Sequence, residues 1–452
     1  MFLPVSLPAL MGSLLLCGSC LLAGCGGGGA EEPSTAPRID AFVAVGGNAQ
    51  FVGDRMRITA TFVGGQGRIE PDIGAVTSGA VIDLPPLDRN RRYTLIVEAA
   101  GHAPALRELD LTLQYRDRYA ALPEPFRIQY HAAVTAGDGS VIVIGGSRGL
   151  STVSEAIDRF DPMTRSFSRI GSLRTGRSNH TATRLPDGHI LVLGGQVGLD
   201  IGPVADLIDE RSGAVSDGGR LAQPRNRHSA VALVDGRVLV VGGVSRATVE
   251  LWDPLQRQFR LVAATMSHVR EFPSATLLAD GRVLIAGGAH GAAHNTFAEI
   301  FDPRSESFTP VATDIVERRS LHQAHRLADG RVLILGGEVL QDREGIVPLA
   351  TVLQFDPADG SLRPLAPLDQ ARTLVSSVLL ADDRVLLFGG QDATLAVTPS
   401  AGAYRAGNAG PLVAMPQGRA WHTVSRLADG RVLILGGDDR DGGPVGTAYL
   451  YE

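Results

Sequence analysis

The chain has 452 residues, of which 44% are hydrophobic and 20% are charged, so it can bury cores for roughly two to four domains. The formal net charge of −6 excludes the basic surface on which nucleic-acid binding depends. All 42 basic residues are arginine, which excludes a Schiff-base lysine, a lysine general base and a Walker phosphate loop.

The N-terminal segment carries the features of a secreted protein. Residues 1–24 have no charged side chain and contain an apolar run from Leu7 to Leu22, which predicts a signal peptide. The sequence Leu22-Ala-Gly-Cys25 resembles the bacterial lipobox, and this resemblance implies that Cys25 is lipidated and becomes the new N-terminus. An ordinary cleaved signal or a single transmembrane anchor are the alternatives.

The residues after the signal predict an attachment to a membrane. Residues 25–37 are rich in glycine and proline and predict a flexible tether. Gly26 follows the cysteine, and the similarity to enterobacterial lipoproteins implies an outer-membrane location, either periplasmic or surface-facing. Residues 26–452 contain no cysteine, so disulfides, zinc thiolates and cysteine nucleophiles are excluded there.

Residues 38–115 show short alternating strands between glycine and proline turns, which predict a small β-sandwich. The predicted strands include Ile39–Val45, Arg57–Val63, Ala80–Leu84 and Tyr93–Ala99. The segment resembles the immunoglobulin-like modules that precede repeat domains in bacterial envelope proteins. A spacer role is favoured over a binding role.

Residues 116–452 contain an internal repeat with a spacing of 45 to 53 residues. Each unit has a Gly-Gly pair after an apolar run, and the first glycines are Gly145, Gly194, Gly242, Gly287, Gly336, Gly389 and Gly436. Seven positions earlier stands an aspartate, followed by glycine in six units, which predicts a tight turn. The apolar run predicts a strand that is covered on both faces.

A third and a fourth strand follow each Gly-Gly pair. The third ends in a bulky residue and usually Asp-Pro, as in Phe160-Asp-Pro162, and Val397-Thr-Pro399 is taken as the copy in the sixth unit. Further bulky residues predict the fourth strand at Phe167, Val215, Phe259, Phe308, Leu362 and Tyr404. The pattern resembles the Kelch repeat of Kelch-type propellers and of the central domain of galactose oxidase.

The seven units therefore predict an all-β protein, with a seven-bladed Kelch-type β-propeller after an immunoglobulin-like β-sandwich. The last unit ends at Glu452, where its fourth strand is due. An unpaired edge there favours aggregation, so residues Arg116–Leu122 are expected to supply that strand and close the ring.

An arginine stands at the entry of six units, at Arg177, Arg225, Arg270, Arg319, Arg372 and Arg419. The resemblance to Kelch propellers places this segment at the channel mouth, where a ring of guanidinium groups is suited to binding carboxylates of a protein or of an acidic sugar. The alternative is that these arginines pair with carboxylates or carbonyl groups between blades.

Histidine recurs three residues later, at His180, His228, His322 and His422, and His131 holds the matching place in the first unit. Converging histidines suit a metal ion, but a packing role in the repeat is favoured and no metal is predicted. The run Asp438-Asp-Arg-Asp-Gly442 is weakly similar to a calcium loop, and a solvated turn is the preferred interpretation.

Two function classes remain open. The first is a non-catalytic module that binds a protein or a carbohydrate and needs no cofactor. The second is an epimerase-like or lyase-like enzyme acting on an acidic sugar, for which Glu271 and Glu317 are candidate bases, although solvated loop charges are favoured for both. The radical of galactose oxidase uses a cysteine, so that resemblance does not imply this chemistry here.

Overall fold

The computed structural model describes residues 36–123, 125–149, 152–288, 297–315, 319–341 and 345–452. Every regular element in these ranges is a β-strand, which confirms the all-β prediction. The predicted signal peptide, Cys25 and the tether up to residue 35 lie outside the described residues, as does Glu317. No helix in the described ranges has the length and apolar character needed to cross a membrane.

The N-terminal domain is a sandwich of a three-stranded and a five-stranded sheet. Its strands are β1 (Arg38–Ala44), β2 (Ala49–Phe51), β3 (Met56–Val63), β4 (Gln66–Glu70), β5 (Gly74–Val76), β6 (Val81–Leu84), β7 (Arg91–Glu98) and β8 (Ala105–Gln114). The sheet orders are β1-β3-β6 and β2-β8-β7-β4-β5. Alternating side chains such as Ile58, Ala60 and Leu95 are fully buried between the sheets. The immunoglobulin-like character of this sandwich stays a prediction.

Among the described residues, seven four-stranded sheets follow the sandwich. Blade 1 contains β10 (Ala132–Thr135), β11 (Val141–Ile144), β12 (Ala156–Asp161) and β13 (Ser166–Ser172). Blade 2 contains β14 (Thr181–Arg184), β15 (His189–Leu193), β18 (Val204–Asp209) and β19 (Val215–Arg220), with β16 (Gln196–Val197) and β17 (Asp200–Ile201) as an added hairpin. Blade 3 contains β20 (His228–Ala232), β21 (Val238–Gly242), β22 (Val249–Asp253) and β23 (Gln258–Leu261).

Blades 4 to 7 repeat this meander. Blade 4 contains β24 (Ser274–Leu277), β25 (Val283–Ala286), β26 (Ala298–Asp302) and β27 (Ser307–Pro310). Blade 5 contains β28 (Gln323–Arg326), β29 (Val332–Leu335), β32 (Val352–Asp356) and β33 (Ser361–Leu365), with the hairpin β30 (Glu338–Gln341) and β31 (Gly345–Pro348). Blade 6 contains β34 (Ser376–Leu379), β35 (Val385–Phe388), β36 (Ala401–Arg405) and β37 (Asn408–Leu412). Blade 7 contains β38 (Thr423–Arg426), β39 (Val432–Leu435), β40 (Tyr449–Tyr451) and β9 (Tyr119–Ala121).

The blades form a closed ring, because the innermost strands contact one another in the circuit β10, β14, β20, β24, β28, β34, β38 and back to β10. A hydrophobic cluster fills each interface between neighbouring blades in the described structure. In β11, Ile142 and Ile144 face blade 2 while Val141 and Val143 face blade 7. This arrangement confirms that the apolar strand before each Gly-Gly pair is covered on both faces.

The ring closes through the composite sheet that the sequence predicts. Strand β40 pairs with β39 on one side and with β9 on the other, so blade 7 combines the C-terminus with a strand from upstream of blade 1. The carboxylate of Glu452 is buried and forms ion pairs with Arg118 at 2.8 Å and Arg165 at 3.3 Å. These contacts fix the chain end to blade 1 as well as to β9.

The sixth unit differs from its predicted strand assignment. Tyr404 was expected in the fourth strand, but it lies in the third strand, β36, and pairs with Val385. It therefore occupies the position of Phe160, which pairs with Val141 in blade 1. Val397 lies in the connection before β36, where it bridges to Gln391, so the match to the degenerate Val397-Thr-Pro399 copy placed the third strand too early.

The sandwich packs on the face of the propeller that carries the Asp-Gly turns. The Tyr115 hydroxyl donates a hydrogen bond to the Gly430 carbonyl at 2.7 Å, and Arg426 forms an ion pair with Asp88 at 3.0 Å. Val52 is buried beside Gly430. Because the inner strands begin on the opposite face, which we call the mouth, these contacts leave the mouth uncovered.

Candidate functional site

One residue from each blade lies at the mouth in a left-handed backbone conformation, although none of them is glycine. We call this set the mouth ring: Tyr130, Asn179, Arg227, Phe272, Leu321, Leu374 and Trp421. Their φ values lie between 52° and 56°. For bulky residues this region is strained by roughly 1–3 kcal/mol each, and such strain concentrates at functional sites.

The entry arginines explain why the chain adopts this turn. The carbonyl group of Arg177 accepts a hydrogen bond of 2.8 Å from the second glycine of the preceding blade, Gly146. Ser178 then forms a bridge with Gln196 of its own blade. The chain is thus fixed to two blades at successive residues, and Asn179 turns it into β14 through a positive φ. The side chain at the turn is half-buried and lines the cavity at the mouth.

Three aromatic side chains of the mouth ring pack together across the channel. The centroid of the Trp421 ring lies 5.3 Å from that of Tyr130 and 5.9 Å from that of Phe272. The guanidinium group of Arg227 lies 5.4 Å from the centroid of the Phe272 ring, which is a cation–π distance. Together these residues form a cover across the channel at its mouth, which we call the aromatic cover.

A cavity of about 300 Å³ lies at this end of the channel, and its lining includes the repeated histidines. Each histidine at this register is buried between two blades rather than free in the channel. The Nε2 atoms of His131, His228 and His322 form hydrogen bonds with Thr423, Thr181 and Ser274 of the preceding blades, at 2.8, 2.9 and 2.9 Å. Burial lowers the pKa of each of these three histidines to about 3, so they are neutral at pH 7.

The same histidines explain the Gly-Gly pairs. A Cβ atom on Gly145 would lie 2.7 Å from the Arg177 carbonyl oxygen and 2.7 Å from Cε1 of His180. The glycine therefore avoids a collision with the arginine-histidine segment of the next blade.

The six entry arginines do not form an exposed ring. Arg177, Arg225, Arg270, Arg319, Arg372 and Arg419 are only 0–2% exposed. The guanidinium group of Arg225 pairs with Glu250 at 3.0 Å and donates to the carbonyl groups of Gly242 and Thr248 in its own blade. We therefore correct the expected placement at the open mouth, because these groups bind within single blades, whereas their backbone carbonyls link adjacent blades.

The partners of the entry arginine differ from blade to blade. Asp206, Glu250 and Glu299 pair with Arg177, Arg225 and Arg270 in blades 2 to 4. In blade 7, Arg419 donates to the carbonyl groups of Gly436 and Thr447 and lies 5.1 Å from the centroid of the Tyr449 ring. Burial lowers the pKa of Arg419 to about 10, which still leaves it protonated at pH 7.

Of the two candidate bases, only Glu271 lies in the described part of the chain. Its Oε2 atom is 3.0 Å from Nη1 of Arg227, and its side chain is 12% exposed. The favoured interpretation of a solvated loop charge is therefore wrong for Glu271, whose mostly buried carboxylate pairs with the half-exposed Arg227 at the mouth.

Two features of the site were missed or misjudged from the sequence. The residue two positions after each entry arginine varies in type from unit to unit. This variation was the signal in the sequence that pointed to the mouth ring. Asp438 was expected in a solvated turn, but it is 9% exposed and its Oδ2 atom accepts a 3.0 Å hydrogen bond from the Tyr130 hydroxyl. Burial raises the pKa of Asp438 to about 6.

Comparisons with known proteins agree with this architecture. A model of the Kelch motif matches residues 130–174, which span blade 1 and the start of the next entry segment. Among solved structures, a fungal alcohol oxidase of the AA5 family, determined in complex with copper, superposes with a TM-score of 0.62. It is 15% identical, and the match covers 74% of this chain and 75% of that chain. No curated protein sequence matches the chain.

The residues that the structure describes contain no group of three or more histidine, cysteine, aspartate or glutamate side chains suited to a metal ion. The Nε2 atoms of three mouth histidines are already bonded to hydroxyl groups of neighbouring blades. The likeness therefore concerns the fold alone: the described chain folds as a seven-bladed β-propeller, in which blade 1 matches the Kelch motif.

Proposed function

We propose that the protein is a non-catalytic recognition module that binds a protein or a carbohydrate through its mouth ring. The supporting observation is that seven strained residues, one from each blade, present their side chains on one face. Tryptophan, tyrosine and arginine dominate binding hot spots, and the ring contains Trp421, Tyr130 and Arg227. The sandwich packs on the other face, so a partner has access to the mouth.

The enzyme alternative has less support. A general base needs a free carboxylate within reach of a substrate proton, whereas Glu271 is paired with Arg227 at 3.0 Å. The cavity behind the aromatic cover is lined by histidines such as His131 and His228, whose pKa values are too low for acid-base work near pH 7.

The tether sets where such a module acts. We propose that lipidated Cys25 holds the propeller at the bacterial outer membrane. The twelve residues 26–37 between Cys25 and β1 reach at most about 40 Å when fully extended. Replacement of Cys25 by serine is expected to release the protein from the membrane fraction, and unchanged fractionation would contradict the anchor.

A partner search tests the recognition function. Residues 26–452 are presented to a glycan array and to solubilised envelope proteins, in parallel with two variants. Trp421→Gly removes the central ring of the aromatic cover, while Arg282→Ala alters a partly exposed arginine on the Asp-Gly face. A ligand of the mouth is retained by the parent and by Arg282→Ala and is lost by Trp421→Gly. Equal retention by all three proteins would reject the mouth as the binding surface.

A further inference from the structure

A line of six side chains crosses the mouth: Glu271, Arg227, Phe272, Trp421, Tyr130 and Asp438. A carboxylate stands at each end and three aromatic rings lie between them. The two ends differ in one respect, which is the presence of a cation. This difference indicates the chemistry of the ligand.

The Glu271 end is complete within the chain. Arg227 pairs with Glu271 at 3.0 Å, and its guanidinium group lies 5.4 Å from the centroid of the Phe272 ring. A cation held between a carboxylate and an aromatic face gains from both the charge and the ring quadrupole. This end therefore shows how the mouth accommodates an organic cation.

The Asp438 end has the carboxylate and the rings without an arginine. Oδ2 of Asp438 accepts the Tyr130 hydroxyl, and Oδ1 is buried and has no hydrogen-bond partner. Among the described residues, the charged group that acts on the Asp438 carboxylate is Asp439 rather than an arginine. A buried carboxylate oxygen normally accepts a hydrogen bond, so Oδ1 of Asp438 retains an unused acceptor.

We propose that the Asp438 end of the mouth binds an organic cation, an alkylammonium or guanidinium group, between the Asp438 carboxylate and the faces of Tyr130 and Trp421. This inference rests on the proposed recognition function and names the chemical class of its ligand. The rings and the carboxylate favour the same sign of charge, and the Arg227 end supplies an internal example of the geometry.

Proton linkage gives the site a characteristic pH dependence. Burial and the neighbouring Asp439 raise the pKa of Asp438 to about 6, while the hydrogen bond from Tyr130 opposes this shift. A cation binds the ionised carboxylate more tightly than the protonated acid. Affinity is therefore expected to fall as the pH drops through about 6, and binding near that pH releases a proton.

The test compares cations with neutral molecules of the same shape. Choline and N-acetylarginine amide are titrated into the purified full chain at pH 7.5, with 3,3-dimethyl-1-butanol and N-acetylcitrulline amide as their neutral analogues. Calorimetry is the readout. At least one cation is expected to bind about tenfold more tightly than its analogue, and the stronger of the two cations tells whether an ammonium or a guanidinium group is preferred.

Variants then locate the site. Asp438→Asn, which preserves size, is expected to weaken cation binding about tenfold and to remove its pH dependence near 6. Trp421→Leu, which removes an aromatic face of the site, is also expected to weaken cation binding. Glu338→Gln is the matched control, because Glu338 also follows a Gly-Gly pair but accepts its hydrogen bond from Thr373 at 2.7 Å. It is expected to leave binding unchanged, and thermal unfolding confirms that each variant is folded.

Three results would overturn the cation site. These are equal binding of the neutral analogues, unchanged affinity in folded Asp438→Asn, and no saturable binding of either cation by the folded parent protein. The recognition function is judged separately by partner capture with Trp421→Gly, so it can stand when the cation site fails.

Discussion

The indole ring of Trp421 in blade 7 lies 5.9 Å from the phenyl ring of Phe272 in blade 4, measured between ring centroids. The two blades stand on opposite sides of the ring, so this contact spans the channel mouth. Both residues have left-handed backbone, with φ values of 54° and 52°. The mouth thus combines strained backbone with contacts between half-buried rings, whereas the buried repeat residues behind it hold the blades together.

Backbone strain in the mouth ring is measurable at Leu374, whose φ is 54°. Glycine relieves this strain and alanine does not, so Leu374→Gly is expected to be more stable than Leu374→Ala by about 1 kcal/mol. The free energy of unfolding in urea is the measurement. The same two substitutions at Leu379, inside β34, provide the control, where alanine is expected to be the more stable by about 0.5–1 kcal/mol. If the alanine variant is the more stable one at both sites, the backbone of the mouth ring is unstrained.

Gly145 tests the contact between neighbouring blades. In Gly145→Ala the new Cβ atom would lie 2.7 Å from atoms of Arg177 and His180, at a φ of 59°. We expect a loss of about 3 kcal/mol in the free energy of unfolding. Gly407→Ala is the matched control, because Gly407 also has a positive φ of 83° but meets nothing within 4 Å, and about 1 kcal/mol is expected. Similar losses in both variants would show that the blade contact adds nothing.

Alanine substitutions at Arg225 and Arg227, which lie only two residues apart, are expected to lower stability by different amounts. Arg225 and its partner Glu250 are fully buried, so Arg225→Ala leaves a buried charge and is expected to cost about 3–5 kcal/mol of stability. Arg227 is 49% exposed, and Arg227→Ala is expected to cost about 1 kcal/mol or less. Urea unfolding gives both values. A stable Arg225→Ala protein that loses its ligand would instead support the ligand-binding role predicted for the entry arginines.

The buried histidines predict a loss of stability in acid. Burial lowers the pKa of His228 to about 3 in the folded protein, while an unfolded histidine titrates near 6.5. The unfolded chain therefore binds more protons between these values, and stability falls as the pH drops from about 6.5 toward 3. Each such histidine contributes a slope of about 1.4 kcal/mol per pH unit within this window.

His228→Gln tests this contribution. We expect urea unfolding between pH 7 and pH 5 to show a shallower loss of stability in the variant than in the parent. His189→Gln is the control, because His189 is only partly buried and lies outside the interblade register. Identical pH profiles for the parent and His228→Gln would contradict a neutral, buried His228.

Much of the fold was predictable because it repeats. The apolar strands, the Asp-Gly turns and the Gly-Gly pairs are local patterns, and the sevenfold recurrence of the Gly-Gly pairs indicates the number of blades. The composite closure by β9 and β40 was also predicted, and the pairing of these two strands confirms it. The third strand of the sixth unit was assigned wrongly because Val397-Thr-Pro399 imitates the usual bulky-Asp-Pro end of that strand, and strand pairing revealed the position of Tyr404.

The site itself depended on contacts between residues far apart in the chain. Tyr130 and Asp438 are 308 positions apart, yet the closed ring brings the hydroxyl and the carboxylate within 3.0 Å. The repeated arginines were visible in the sequence, but no pattern states whether a guanidinium group points to solvent or to carbonyl groups of its own blade. The sequence by itself determined the architecture, because its information is local and periodic. Tertiary structure alone decided which side chains meet at the mouth, because ring closure and burial act across the whole chain.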